Sequence, residues 1–115
     1  MTVAPTVTAP TDTRRLFAAA GPSWAEHRET FGELPAYVDL PDLVERAGLR
    51  GRGGAGFPSA RKLRGVAERG NGVVVGNAAE GEPASDKDRV LLLAAPHLVL
   101  DGLVLTARAV GARRA

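Results

Sequence analysis

The 115-residue chain carries a net charge of only +2, has no cysteine, and 24% of its residues are charged. Its length limits it to one domain, and the lack of thiols excludes disulfides, cysteine nucleophiles and cysteine-ligated zinc or iron–sulfur sites within it. Without a long block of like charge or a cluster of aromatic side chains, it lacks the features of a nucleic-acid-binding protein. The longest apolar run, residues 90–100, is broken by Pro96 and is too short to span a bilayer, and no signal peptide is recognisable. We therefore expect a cytoplasmic protein with no direct membrane span.

The first 40 residues are predicted to lie outside the main domain. Residues 1–13 are rich in threonine, proline and alanine and carry one charge, so we expect a disordered tail. Residues 14–40 are expected to form an N-terminal arm, in which Gly21-Pro22 interrupts a short helix within Arg14–Phe31. The remaining residues, 41–115, are predicted to form a partial α/β domain.

A glycine-rich loop between two predicted helices is the first candidate binding site. The helices are predicted at Pro41–Ala47 and Ser59–Arg69, with Gly48 ending the first and Ser59 capping the second. Five of the nine residues from Gly48 to Gly56 are glycines, and glycine lets backbone N–H groups approach a ligand closely. Arg50 and Arg52 lie in the loop, and arginine suits phosphate. Lys62 lies in the first turn of the second helix, whose N-terminus favours an anion. The segment is a candidate phosphate-binding loop, and a flexible connector between two helices fits the same residues.

Three of these glycines match the dinucleotide-binding fingerprint G-x-G-x-x-G: Gly51, Gly53 and Gly56. The fingerprint requires a strand before it, whereas the preceding residues look helical. The pattern by itself therefore identifies no fold.

A second candidate loop follows a predicted strand at Val73–Val75. Three consecutive β-branched residues suit a strand covered on both faces, as in a parallel sheet. Ligands of α/β sheets bind beyond the carboxyl ends of strands, where this chain has the polar residues Asn77, Glu80 and Glu82. The two carboxylates suit hydrogen bonds from a ribose or a ring N–H, or they are ordinary loop carboxylates. Glu80 also lies roughly 20 residues after the fingerprint, where a Rossmann fold has its ribose-binding acid.

Two further helices are predicted, at Asp86–Ala95 with Ser85 as N-cap, and from Pro96 to about Val110. The last helix is expected to be largely buried, with His97 paired to Asp101 one turn later. One strand does not make a sheet. The predicted fold class is therefore α/β, an incomplete Rossmann-like domain with helices around a parallel-type strand, whose sheet is completed by a larger domain or a partner.

Four motifs in this order resemble the NADH-oxidising flavoprotein subunit of respiratory complex I: Gly48–Pro58, Gly76–Pro83, Lys87–Arg89 and Pro96–Leu98. The similarity covers about Leu40 to Ala112, and the same module occurs in related NAD-linked hydrogenases and formate dehydrogenases. The resemblance implies that NADH gives a hydride to FMN and that electrons leave singly through an iron–sulfur cluster. It also implies an α/β FMN-binding domain followed by a ubiquitin-like domain and a helical domain. That helical domain would hold a 4Fe-4S cluster, for which this chain has no ligands.

The resemblance assigns roles to residues of both loops. In the first loop, it implies that FMN and NADH are surrounded by Gly51, Arg52, Gly53 and Gly54. It implies that Phe57 stacks on adenine and that Lys62 reaches the FMN phosphate. In the second loop, it implies that Asn77 and Glu80 line the flavin and that Glu82 holds NADH. It implies partner subunits or domains that carry iron–sulfur clusters, which would hold the protein at the membrane periphery.

Three positions depart from the family pattern. Ala79 replaces an aspartate of the flavin site, Leu63 replaces a tryptophan, and Gly65 replaces an aromatic residue that helps to grip adenine. The resemblance therefore implies that these changes bear on nicotinamide specificity more than on flavin binding. We expect an N-terminal fragment or truncated form that does not turn over NADH by itself. A non-catalytic flavin- or nucleotide-binding regulatory or assembly module, or a remnant without a ligand, are the alternatives.

Overall fold

The computed structural model describes residues 15–52 and 55–115. The tail predicted at 1–13, together with Arg14 and the loop glycines Gly53 and Gly54, lies outside the described residues. Within these ranges, a 3-10 turn at Arg15–Phe17 precedes five α-helices, which are α1 Trp24–Phe31, α2 Leu40–Arg46, α3 Ser59–Arg69, α4 Lys87–Ala94 and α5 Pro96–Val110. The predicted bounds of α3 and α5 are confirmed, and those of α2 and α4 are confirmed to within one or two residues.

Helix α5 is the centre of the described structure, because α1, α2, α3 and α4 all pack against it. Among residues 15–52 and 55–115, the buried apolar residues are few and mostly small: Ala60, Ala95 and Val110. The expectation that α5 is largely buried is wrong, since Leu100 and Val104 are 52% and 39% exposed. These side chains face solvent because no described layer covers that side of the helix.

Two predicted caps are corrected by the structure. Ser59 is the first residue of α3 rather than its cap, and Pro58 precedes it without a side-chain hydrogen bond. Ser85 does not cap α4, because Asp86 holds the N-cap position and the Asp88 N–H donates to the Glu80 carboxylate at 2.8 Å. A carboxylate is a stronger acceptor of that N–H than a hydroxyl, and the Ser85 hydroxyl itself donates to Glu80 at 3.0 Å.

Helix α1 is held on α5 by a cluster of rings around His27. His27 is 4% exposed, and its Nε2 lies 2.8 Å from Asp101 Oδ2. The rings of Trp24, Phe31 and His97 lie with their centroids 5.6, 5.2 and 5.5 Å from that of His27. The predicted pairing of His97 with Asp101 is therefore wrong, because the residue that bonds Asp101 comes from α1. His97 instead makes an edge contact with Trp24, at 5.1 Å between ring centroids.

The end of α2 turns the chain back towards α3. Gly48 has φ +68°, which glycine adopts without strain, and its N–H donates to Glu45 O at 3.0 Å. Leu49 N–H donates to Val44 O at 3.0 Å, so the turn is a Schellman motif, as the glycine predicted. Arg64 of α3 then makes two hydrogen bonds of 2.9 Å to the Glu45 carboxylate. These bonds lower the pKa of Glu45. They also join α2 to α3, the two helices between which the glycine-rich loop lies.

The predicted strand at Val73–Val75 is present only as an extended segment. Val73 forms an isolated parallel bridge with Arg114, and Val74 N–H donates to Arg114 O at 3.1 Å. Val73 and Val75 are 64% and 79% exposed. Over 15–52 and 55–115, the other bridge is an antiparallel one between Arg50 and Pro58. One parallel bridge does not establish a sheet, so the α/β class stays a prediction.

Helices α4 and α5 meet at Ala95 with a bend of 99°. In the described part of the chain, no single helix is long and apolar enough to cross a bilayer. Taken together, the bent pair α4 and α5 would be long and apolar enough.

One glycine inside α5 and one directly after it give a matched test of backbone conformation. Gly111 follows the helix with φ +67° and ψ 26°, whereas Gly102 lies inside it with open space around a built Cβ. We expect Gly111→Ala to destabilise the fold by about 1 kcal/mol, because alanine avoids the left-handed region. Gly102→Ala should stabilise it by about 0.5–1 kcal/mol through helix propensity. Urea unfolding of both variants measures the difference, and equal shifts would contradict the assigned geometry at Gly111.

Candidate functional site

The glycine-rich loop is closed at its base by backbone contacts. The Arg50–Pro58 bridge is extended by a hydrogen bond from Gly51 N–H to Phe57 O at 2.9 Å. Arg50 Nη1 donates to Gly56 O at 3.3 Å, and Gly56 has φ +56°, a conformation that favours glycine. The loop is thus pinned at both ends, which a freely flexible connector would not be. Arg50 takes part in this closure, and both Arg50 and Arg52 are exposed.

Two cations face one aromatic ring where the loop enters α3. Phe57 is 41% exposed, with Arg61 Cζ 5.3 Å and Lys62 Nζ 5.6 Å from its ring centroid. Such distances are within the range of cation–π attraction. The first turn of α3 has no side-chain cap, so its N–H groups and the helix dipole favour an anion here. The predicted site residues Phe57 and Lys62 therefore lie together in a setting that suits a phosphate.

Sequence reasoning did not identify Arg61 as part of this end of α3. The available signal was the position of Arg61 in the first turn of α3, beside Lys62 and close to the end of the glycine-rich loop. None of the ion pairs between described residues includes Arg52, Arg61 or Lys62. Their charges are consequently not neutralised within the described structure.

An apolar groove of about 520 Å³ lies next to Lys62. Its walls come from α2, α3, α5 and the Val73–Val75 segment. Lys62 is the one predicted site residue among its described lining residues, and Leu63, a departure from the family pattern, also lines it.

The second predicted loop is organised around Glu80. Its carboxylate accepts hydrogen bonds from Asp88 N–H at 2.8 Å and from Ser85 Oγ and Lys87 Nζ at 3.0 Å each. Glu80 therefore fixes the start of α4, a role that sequence reasoning missed because all three partners lie outside the motif Gly76–Pro83. The predicted flavin contact of Glu80 stays a prediction.

The other two residues of that loop have different surroundings. Asn77 Oδ1 accepts a hydrogen bond from Ala79 N–H at 2.9 Å, which forms a local turn. Glu82 is exposed, and its backbone carbonyl accepts from Ser85 N–H at 3.0 Å. No hydrogen bond or ion pair between described residues joins this loop to the glycine-rich loop. The expectation that both loops face one site stays a prediction.

The start of α4 should respond to acid. The Asp88 N–H and then the Lys87 ammonium lower the pKa of Glu80 below the usual range. A carboxyl whose pKa is lowered on folding stabilises the fold above its unfolded pKa, about 4.3, and loses this effect as pH falls through the folded pKa. We expect hydrogen exchange at the Asp88 amide, after correction for its intrinsic pH dependence, to accelerate as pH falls below about 4.3. Exchange followed by NMR between pH 6 and 3 measures it.

Glu80→Gln should remove most of this pH dependence, because the amide does not ionise. Glu82→Gln is the matched control, since the described hydrogen bond of Glu82 comes from its backbone carbonyl. An acid response of the Asp88 amide that persists in Glu80→Gln would contradict the assignment.

Comparison with known proteins links these loops to one family. The sequence model of the Nuo51 FMN-binding domain matches residues 44–115, which include both loops. The F subunit of the NADH-quinone oxidoreductase of Aquifex aeolicus is 40% identical over 78 residues, which are 67% of this chain and 18% of that protein. The corresponding F 2 subunit of Rhizobium meliloti is 38% identical over 98 residues, 84% of this chain and 23% of that protein. The F subunit of Mycobacterium tuberculosis (strain H37Rv) is 39% identical over 83 residues, 67% of this chain and 19% of that protein.

The chain thus spans about a fifth of the length of these curated relatives. No solved structure gives a significant match to it.

Proposed function

Because the chain belongs to the Nuo51 FMN-binding domain family, we propose that it is the FMN- and NAD(H)-binding portion of an NADH dehydrogenase (quinone)-type flavoprotein. In such a protein, electrons pass from NADH through FMN to an iron–sulfur cluster held by another domain or subunit. The single observation that carries the proposal is the family match over 44–115, which includes the glycine-rich loop and the start of α3. The relatives are named as subunits of NADH-quinone oxidoreductase, which supports a place beside other subunits. We further propose that this place is at the periphery of a membrane.

The residues at the start of α3 fit the phosphate of FMN. Lys62 and Arg61 offer cationic donors beside Phe57, and the first turn of α3 offers N–H groups without a side-chain cap. Arg supplies a planar donor fork and Lys a compact charge, and both suit phosphate oxygens. In this proposal, Lys62 holds the phosphate, and Phe57 supplies a half-exposed aromatic surface for adenine.

The bound flavin would supply the redox chemistry, accepting a hydride and releasing electrons one at a time. The chain contributes binding and orientation. Gly51 and Gly56 shape the loop, Arg52 adds positive charge, and the proposed role of Asn77 and Glu80 is to line the flavin. Glu82, exposed in the described structure, is proposed to bind NADH.

Titration of the purified chain with FMN tests the proposal. We expect saturable quenching of flavin fluorescence with one FMN bound per chain. Absence of saturable binding to a chain that unfolds cooperatively would contradict the proposal, because the fold would then be present without its ligand.

A second candidate function is a non-catalytic flavin- or nucleotide-binding module with a regulatory or assembly role. The observation that favours it is Ala79, which supplies no carboxylate and bonds Asn77 only through its backbone N–H. The coding sequence downstream of this chain separates the two candidates. A cysteine cluster motif there supports the electron-transfer flavoprotein, and its absence favours the module.

A further inference from the structure

Arg61 places a second cation beside the aromatic ring at which adenine is proposed to bind. Its Cζ lies 5.3 Å from the ring centroid of Phe57, and its side chain is exposed. None of the ion pairs between described residues includes it. Since Lys62 is proposed to hold the FMN phosphate, the charge of Arg61 is available to a second anion next to the adenine.

Open space on α3 makes the Arg61 side chain approachable. Gly65 follows Arg61 by four residues, so both positions lie on one face of the helix. A helical side chain covers the turn on the N-terminal side of its own Cα, so a side chain at position 65 would cover the turn that contains Arg61. Outside the helix backbone and the two chain neighbours of Gly65, no described atom lies within 4 Å of a Cβ built there. The guanidinium of Arg61 can therefore be reached from this side.

The carboxylate that the fingerprint spacing assigns to a ribose is engaged in its own loop. In dinucleotide-binding folds, such an acid bonds the ribose 2′-hydroxyl of NAD(H), whereas a nearby arginine accommodates the 2′-phosphate of NADP(H). In this chain the acid is Glu80, whose carboxylate already accepts hydrogen bonds of 2.8–3.0 Å from Asp88 N–H, Ser85 Oγ and Lys87 Nζ. Its charge is balanced by Lys87, so it is poorly placed to select a free 2′-hydroxyl.

From the available guanidinium and the engaged carboxylate we propose that Arg61 binds the 2′-phosphate of the adenosine ribose, so that the dinucleotide site prefers NADP(H) to NAD(H). The guanidinium offers a planar donor fork to two phosphate oxygens and also stacks on aromatic rings. The dinucleotide pyrophosphate is a poorer partner for Arg61, because the glycine-rich loop already offers it Arg52 and backbone N–H groups. The inference rests on the proposed adenine surface at Phe57 and narrows the dinucleotide that binds there.

Calorimetric titration of the purified chain with three adenine nucleotides tests the assignment. Adenosine 2′,5′-bisphosphate should bind at least about tenfold more tightly than 5′-AMP, because its second phosphate accepts charge-assisted hydrogen bonds. Adenosine 3′,5′-bisphosphate has the same charge and should gain less than about threefold over 5′-AMP. Equal affinities for the two bisphosphates would reveal a general attraction of charge and would overturn the inference.

Substitution of Arg61 identifies the side chain responsible. Arg61→Ala should reduce the preference for the 2′,5′-bisphosphate to less than about twofold and leave the affinity for 5′-AMP within about twofold. Arg61→Lys should keep only part of the preference, because an ammonium group lacks the planar fork. Arg69→Ala removes an exposed arginine from the other end of α3 and should change none of the titrations. All three variants should unfold at the wild-type temperature, as expected for exposed side chains.

The outcomes separate this inference from the proposed function. A preference that survives in Arg61→Ala, or an equal loss of affinity for 5′-AMP and the 2′,5′-bisphosphate, would overturn the role of Arg61. A chain that binds FMN but gains nothing from the 2′-phosphate would keep its proposed flavin site and lose the preference for NADP(H). A chain that fails the FMN titration but prefers the 2′,5′-bisphosphate through Arg61 would support the inference and contradict the flavin site.

Discussion

Replacement of Lys62 by alanine is expected to weaken FMN binding about ten- to 100-fold. Lys62 lies in the first turn of α3, with Nζ 5.6 Å from the Phe57 ring centroid. None of the ion pairs between described residues includes it. A hydrogen bond to a charged group contributes about 1.5–3 kcal/mol, and about 1.4 kcal/mol corresponds to a tenfold change in affinity. Fluorescence titration of the wild-type chain and the variant with FMN measures the ratio directly.

Riboflavin provides the matched ligand, because it has the same ring system without the phosphate. Lys62→Ala should leave riboflavin affinity unchanged within about twofold if the side chain binds phosphate, whereas a loss shared by both ligands would place its effect on the ring site. Arg69→Ala removes a charge from the opposite end of α3 and should change neither titration. The Lys62 substitution should not unfold α3, since a cation in the first turn opposes the helix dipole. Equal FMN affinity of variant and wild type would contradict the assigned role.

The helices could be predicted from the sequence because their signals are local. The bounds of α3 and α5 follow from apolar periodicity and from Pro96 and Gly111 at the ends of α5. The turn at Gly48 was likewise predictable, because glycine directly after an apolar helix favours the left-handed conformation. Each of these signals lies within about one turn of the feature that it specifies.

The pairings that position the candidate site were not predictable from local patterns. His27 and Asp101 are separated by 74 residues, and helical spacing alone suggested His97 as the partner. The three donors to Glu80 depend on how the loop folds onto α4, which no periodicity encodes. The valine run correctly indicated an extended conformation, but a strand is defined by its neighbours, and one bridge to Arg114 is what the described residues supply. No hydrogen bond or ion pair between described residues joins the two loops either, so the expectation that both face one site stays a prediction.

His27 should be the most sensitive single position for the attachment of α1. We expect His27→Ala to lower the free energy of unfolding by about 2–4 kcal/mol, because it removes a buried ring and the hydrogen bond to Asp101. For a domain of this size, each 1 kcal/mol corresponds to about 4–8 °C in Tm. Trp24 is the one tryptophan of the chain and its ring stacks on His27, so its fluorescence reports the release of α1.

Thr30→Ala is the control on the same helix, because Thr30 is exposed and outside the ring cluster. It should shift stability by less than about 0.5 kcal/mol. His27→Gln separates the two contributions, since glutamine can still donate to Asp101 but lacks the ring that packs on Trp24 and Phe31. If packing dominates, His27→Gln should resemble His27→Ala, and if the hydrogen bond dominates, it should recover most of the stability. An unchanged unfolding curve for His27→Ala, by both tryptophan fluorescence and circular dichroism, would mean that the cluster does not hold α1 against α5.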